Sequence, residues 1–221
     1  MADRLRRAAV AAVAASLLAV AGCGGGSEAG SSGPVSGVSV KDGDNLHGVM
    51  LPKPYSLAHV DLRSTDGRSF DLATDADRKL TLVFFGYTHC PDVCQVVMAN
   101  LASALTRLPE AQRARVGMVF VTTDPARDTA TVLRSYLDRF DPTFEGLTGD
   151  LATIGRLGRT VGVAIEKGQK LASGGYDVTH GTQVVGLEKG GSAPYVWTEG
   201  TDPASFAADI TTILEGKATT T

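Results

Sequence analysis

Apolar positions in this chain fall into unbroken strand-length runs and stripes of helical period. Leu80-Thr81-Leu82-Val83-Phe84-Phe85 is a nearly continuous apolar run. That suits a strand buried on both faces of a parallel sheet. Val93, Val97, Leu101, Leu105 and Leu108 then recur every three or four residues. They predict a helix that begins near Pro91 and stops at Pro109. Val116 to Val121 is a second buried strand. Asp128 is expected to start a helix with Val132, Leu133, Tyr136, Leu137 and Phe140 inward, and Asp150 another with Leu151, Ile154, Leu157 and Val161 inward.

Strand patterns follow at Val161–Ile165, Thr182–Leu187 and Tyr195–Trp197, with Gly-rich turns at 174–175 and 190–191. Asp202-Pro203 opens a last helix with Phe206, Ile210, Ile213 and Leu214 inward. Residues 40–60 carry Pro52 and Pro54 and read as irregular or edge-like, and 70–72 as a short strand after the turn at Asp66-Gly67. The order strand, helix, strand, helix, helix, hairpin, helix predicts an α/β fold. It is a thioredoxin-like sandwich, a central mixed sheet flanked by helices, with N-terminal additions. Sites in such sheets lie at the carboxyl ends of the parallel strands. Cys90 and Cys94 follow the first strong strand and Asp124 the second, so all three are expected in one crevice.

Two thiols four residues apart, where a strand runs into a helix, can close a disulfide or hold a soft metal ion. Four residues of helix rise roughly 6 Å, within the upper limit of about 6.8 Å between bridged Cα atoms. A helix N-terminus lowers thiol pKa and favours the thiolate that Cu(I) or Zn(II) binds. A purely structural disulfide of this span constrains little of the unfolded chain. The chain has four His, at 47, 59, 89 and 180. By spacing alone, His180 is a loop residue of the sort usually solvated, and His89 is an exposed neighbour of Cys90. Met98 continues the row Cys90, Cys94, Met98 and reads as core packing. Asp124, in Asp124-Pro125-Ala126-Arg127-Asp128, is either part of a helix start or a brace behind the crevice.

Two features argue against a general disulfide exchanger. No Pro occurs between Pro142 and Pro194, where thioredoxin-type oxidoreductases carry a cis-Pro facing their thiols, and three residues rather than two separate the cysteines.

The N-terminus reads as an export signal. Arg4, Arg6 and Arg7 precede an apolar stretch, Ala8–Ala21, broken only by Ser16. It is shorter than the roughly 20 residues of a membrane span. Val20-Ala21-Gly22-Cys23 resembles the bacterial lipobox, which makes Cys23 a lipidated mature N-terminus. The expected organisation is a lipoprotein signal peptide over 1–22, a lipid-anchored Gly/Ser-rich linker over 23–45 and the thioredoxin-like domain over 46–217. Loss of residues 1–22 removes Arg4, Arg6, Arg7 and Asp3 and takes the net charge from −3 to −5. A mildly acidic domain of this kind gives no electrostatic case for nucleic acid. With Cys23 lipidated, only Cys90 and Cys94 of the three Cys remain for chemistry.

Phe85-Gly86-Tyr87-Thr88-His89-Cys90-Pro91-Asp92-Val93-Cys94 resembles the signature of the Sco/SenC family. Thr123-Asp124-Pro125-Ala126-Arg127-Asp128-Thr129 is similar to its second motif, and Tyr176-Asp177-Val178-Thr179-His180 to its third, which supplies a His. The resemblance covers roughly residues 50–215. It implies an anchored extracytoplasmic protein at a cell membrane, with copper, as Cu(I) or Cu(II), held by Cys90, Cys94 and His180. It also implies delivery of that copper to the copper-centre subunit of cytochrome c oxidase, with a further copper chaperone or a thiol reductant as additional partners. Gln95 departs from the family pattern, where many members have a second Pro, and residues 181–187 lack the aromatic-rich run common elsewhere. The anchor reads as lipid rather than a transmembrane helix. These readings make the protein a metallochaperone rather than an enzyme. The alternative is a thiol–disulfide oxidoreductase that keeps a recipient's metal-binding cysteines reduced, using Cys90 and Cys94 as a redox disulfide.

Overall fold

A computed structural model describes residues 45–170 and 176–219, with side chains described outside 166–180. The expected signal peptide, nearly all of the expected linker, and Cys23 lie outside the described residues.

The long apolar run forms β4 (Leu80–Gly86), buried at all seven positions. Alternate residues feed opposite layers. Leu80, Leu82 and Phe84 join one core with Met118 and Phe120, while Val83 and Phe85 join the other with Val119 and Val121. β5 (Val116–Thr122) pairs with β4 in parallel over seven residues. β6 (Glu145–Thr148) extends the parallel set. β9 (Val184–Glu188) runs antiparallel to the other edge of β4, and β10 (Ser192–Trp197) antiparallel to β9. β1 (Val49–Ser56) closes that side against β10. Its register shifts between Met50 and Tyr55, around Pro52 and Pro54, which have no N–H to donate and so belong at an edge. β2 (Leu62–Ser64) and β3 (Ser69–Phe70) complete the eight-stranded sheet beyond β6.

Helices α2 (Val93–Arg107), α4 (Ala130–Leu137) and α6 (Pro203–Leu214) cover the first core, and α1 (Leu72–Asp75) and α5 (Leu151–Thr160) the second. A short α3 (Glu110–Arg113) links α2 to β5. A separate hairpin of β7 (Ile165–Lys170) and β8 (Tyr176–His180) pairs Ile165 with His180.

Several boundaries differ from the pattern reading. α2 begins at Val93 rather than Pro91, because the Asp92 side chain caps it by accepting the Val93 N–H. α4 is capped by Thr129, whose hydroxyl accepts from the Val132 amide at 3.3 Å, not by Asp128. The expected strand at 161–165 starts only at Ile165. Gly162, at φ 73°, ends α5 there, and Val163 donates back to the Gly158 carbonyl at 2.8 Å. The residues read as a loop before His180 form β8.

The start of the described chain is clasped to α6. Asp209, 1% exposed, accepts the backbone amides of His47 (2.9 Å) and Gly48 (2.8 Å) and the Trp197 indole N–H (2.7 Å). A carboxylate this deep is tolerable only with its oxygens so occupied.

Candidate functional site

β4 ends at Gly86, whose carbonyl accepts the Thr123 amide at 2.7 Å and the Thr123 hydroxyl at 3.1 Å. These bonds join the carboxyl ends of β4 and β5, the place the topology reserves for chemistry. The chain then turns through Tyr87–Asp92 into α2. The Cys90 amide donates to the Tyr87 carbonyl at 3.2 Å, which holds Cys90 in the loop. Cys94 occupies the first turn of α2.

Both cysteines are free thiols and buried, Cys90 4% and Cys94 0% exposed. The Cys94 amide donates to the Cys90 sulfur at 3.4 Å, so the open N-terminus of α2 points at that sulfur. The Cys94 side chain also hydrogen-bonds Cys90. This bond first, and the backbone amides of Cys94 and Asp92 next, lower the Cys90 pKa to about 6 against burial and the Asp92 charge. The same bond, with burial, pushes Cys94 far upward. The pair therefore holds one proton near neutrality. Cys90 is the thiolate, and Cys94 is the thiol donating to it.

The loop is braced from behind. Asp128, fully buried, accepts the Thr88 amide (3.0 Å), the Thr88 hydroxyl (2.6 Å) and the Thr122 hydroxyl (2.7 Å). It thus ties the residues before Cys90 to the end of β5. Asp124, also buried, pairs with Arg127, whose guanidinium lies 5.8 Å over the Tyr87 ring. The two carboxylates reach the loop by different routes. The pattern reading left Asp124 between a helix start and a brace, and it missed the bracing role of Asp128, which it took for a helix start. The spacing of Asp128 from Thr122 and Thr88 gives no signal, because the contacts cross between elements.

His89 is exposed on the rim, its Nδ1 3.0 Å from the Thr88 hydroxyl and 3.7 Å from Asp128. Met98 is fully buried in the core, where packing was expected to place it. His180 ends β8, and its side chain lies outside the described ones. Among the described residues no group of three His, Cys, Asp or Glu could hold a metal ion. The described thiol pair nevertheless fits a soft cation. It supplies two adjacent sulfurs, one already ionised, at a helix N-terminus.

The sequence model of SCO1/SenC matches residues 53–215. The chain belongs to the SCO1/SenC family. A Stutzerimonas stutzeri protein named "Putative copper-binding protein" is 30% identical over 137 residues, covering 62% of this chain and 66% of that one. The human mitochondrial SCO1 homolog is 30% identical over 138 residues, 59% of this chain and 42% of that one. These matches span at most about two thirds of the relatives' own lengths. Among solved structures, apo Sco1 of Thermus thermophilus is similar at 28% identity and a TM-score of 0.67, covering 78% of this chain and 97% of that one. Bradyrhizobium japonicum ScoI with copper bound is similar at 29% identity and a TM-score of 0.61, covering 73% and 98%. The fold is thioredoxin-like, as the element order predicted. Among the described residues no helix is long and apolar enough to cross a membrane.

Proposed function

We propose that this protein is a copper metallochaperone, carrying copper as cargo on Cys90, Cys94 and His180. The observation that carries the reading is the thiol pair that shares one proton at the N-terminus of α2. A Cu(I) ion would meet a thiolate already formed at Cys90 and release one proton from Cys94 as it bound. His180 supplies an imidazole as third donor, a set of two sulfurs and one nitrogen that suits Cu(I). The names of relatives as copper-binding, and the copper held in solved relatives, support the cargo. The recipient is the copper-centre subunit of cytochrome c oxidase. The chain works from the extracytoplasmic face, tethered through lipid on Cys23. Cu(I) competition against a chelator, with Cys90→Ser and Cys94→Ser beside the full chain, tests the reading. Both substitutions should abolish tight binding, and retention in either would refute it.

The Cys90 thiolate with a thiol behind it also suits a reductant of the recipient's disulfide. Cys90 would attack one sulfur of that disulfide and expel the other as a thiolate. Cys94, losing its proton, would then attack Cys90. The recipient would leave with two thiols and this chain with a Cys90–Cys94 disulfide, two electrons having passed. This reading needs no His180. Oxidase assembly that survives His180→Ala but fails in Cys90→Ser would favour it.

A further inference from the structure

Among the described residues the exposed large hydrophobic side chains are Val96 and Val132. Val96 sits in the first turn of α2 and Val132 in the first turn of α4, the helices that follow β4 and β5. Scattered singly over a surface, such residues carry no message. Here both border the rim that holds the thiol pair.

A groove of about 450 Å³ lies between the thiol loop and α4. It is lined by Thr88 and His89 from the loop, and by Val132, Ser135, Tyr136 and Arg139 from α4 and the turn after it. Thr88 and His89 directly precede Cys90 in the chain, so whatever fills the groove lies beside the thiols. Arg139 is exposed but held in place. Its guanidinium lies 4.8 Å over the Tyr136 ring and 6.0 Å from the Phe140 ring, and its Nε donates to the Tyr136 carbonyl at 3.4 Å. It meets no carboxylate among the described residues, whereas the nearby Arg113, Arg127 and Arg134 pair with Asp141, Asp124 and Asp138. A stacked guanidinium with its terminal N–H groups open to solvent is a preorganised fork for a carboxylate.

We propose that this groove is the docking surface for the protein that receives the copper. It takes a segment of that protein carrying a carboxylate beside an apolar side chain. The carboxylate meets Arg139, the apolar side chain covers Val132, and the segment passes Thr88 and His89 on its way to Cys90. Charge complementarity selects this occupant. The chain as a whole carries a net charge of −3, which repels an acidic partner in general, so an unpaired cation at the rim decides where such a partner lands. The inference rests on the copper reading above and adds the chemistry of the partner.

The test mixes the Cu(I)-loaded full chain anaerobically with a probe, the reduced, copper-free, soluble copper-centre domain of the same organism's cytochrome c oxidase. Arg139→Glu should slow second-order copper transfer about tenfold at low salt, as expected when a steering cation is reversed. The difference should close near about 1 M salt, where the screening length is about 3 Å. Ser135→Glu sets a carboxylate one turn before Arg139, where it occupies the guanidinium without disturbing its stacking, and should slow transfer in the same way. Both variants should hold Cu(I) against a chelator as tightly as the unsubstituted chain. Transfer at the unsubstituted rate in both variants would overturn the inference, and so would a slowing that persists unchanged at high salt. Self-association of the loaded chain that Arg139→Glu abolishes would also overturn it, by giving the groove to a second copy of this chain. No transfer from the unsubstituted chain is the separate result that would overturn the delivery reading itself.

Discussion

Replacing Cys94 with alanine should move the ionisation of Cys90 upward, and the size of the move follows from the geometry. The Cys94 side chain is the largest influence that holds Cys90 at about 6. A thiol with that pKa is about nine-tenths ionised at pH 7, against roughly 3% for an ordinary cysteine near 8.5. Cys94→Ala removes the S–H donor but leaves the backbone amides of residues 92 and 94, so the midpoint should settle between about 6 and 8.5. The rate of alkylation at a single pH is a poor reporter. Intrinsic nucleophilicity falls with pKa at a Brønsted slope of about 0.4–0.5, which offsets much of the gain in thiolate. The midpoint of the alkylation rate against pH is the quantity to read, with Cys94→Ala as the shifted partner. A midpoint unmoved by Cys94→Ala would mean that the backbone alone sets Cys90, and the proton-sharing pair would be refuted. The sign carries into stability. Because the folded Cys90 pKa lies below its unfolded value, its contribution grows as pH rises from about 6 and is complete above about 8.5.

Other substitutions have definite expected outcomes. Asp128→Ala strands three donors that now share one buried carboxylate, and should cost about 2–4 kcal/mol in urea unfolding; a loss under 1 kcal/mol would show that the brace is not needed. Asp209→Ala leaves the Trp197 indole and two backbone amides unpaired and should cost a similar 2–4 kcal/mol, with a blue-shifted or broadened Trp197 emission marking the loosened clasp. Gly86→Ala would bring a Cβ to 3.0 Å from both Phe120 and Phe84. It should destabilise by roughly 1–3 kcal/mol through overpacking beside the Cys loop, visible as a lower melting midpoint.

How legible the fold was depended on the reach of each interaction. β4 and β5 stood out in the sequence because strands buried on both faces are apolar at every position. α2 and α6 stood out because one stripe of each meets the core. β6 was hidden, since four residues with Gly146 in the middle carry no period. β8 was hidden for a different reason. Its pairing with β7 is a separate two-stranded ribbon, and Tyr176–His180 resembles a polar loop in composition. At the site, the Cys pair was legible by spacing, but its division into a thiolate and a thiol was not. That division depends on α2 starting at Val93, which puts the Cys94 amide on the Cys90 sulfur. Asp128 was read as a helix start, and its bracing role escaped notice because residues from other elements set it. The role of His180 came from its motif, since a lone His before a strand carries no signal of its own.

The central claim is a copper carrier with two sulfurs and one imidazole. Anaerobic Cu(I) competition on the full reduced chain, beside His180→Ala, tests it most directly. One ion held tightly, and held far more weakly by His180→Ala, is the predicted result. Weak binding that is indifferent to His180 would contradict it and leave the thiols to redox exchange.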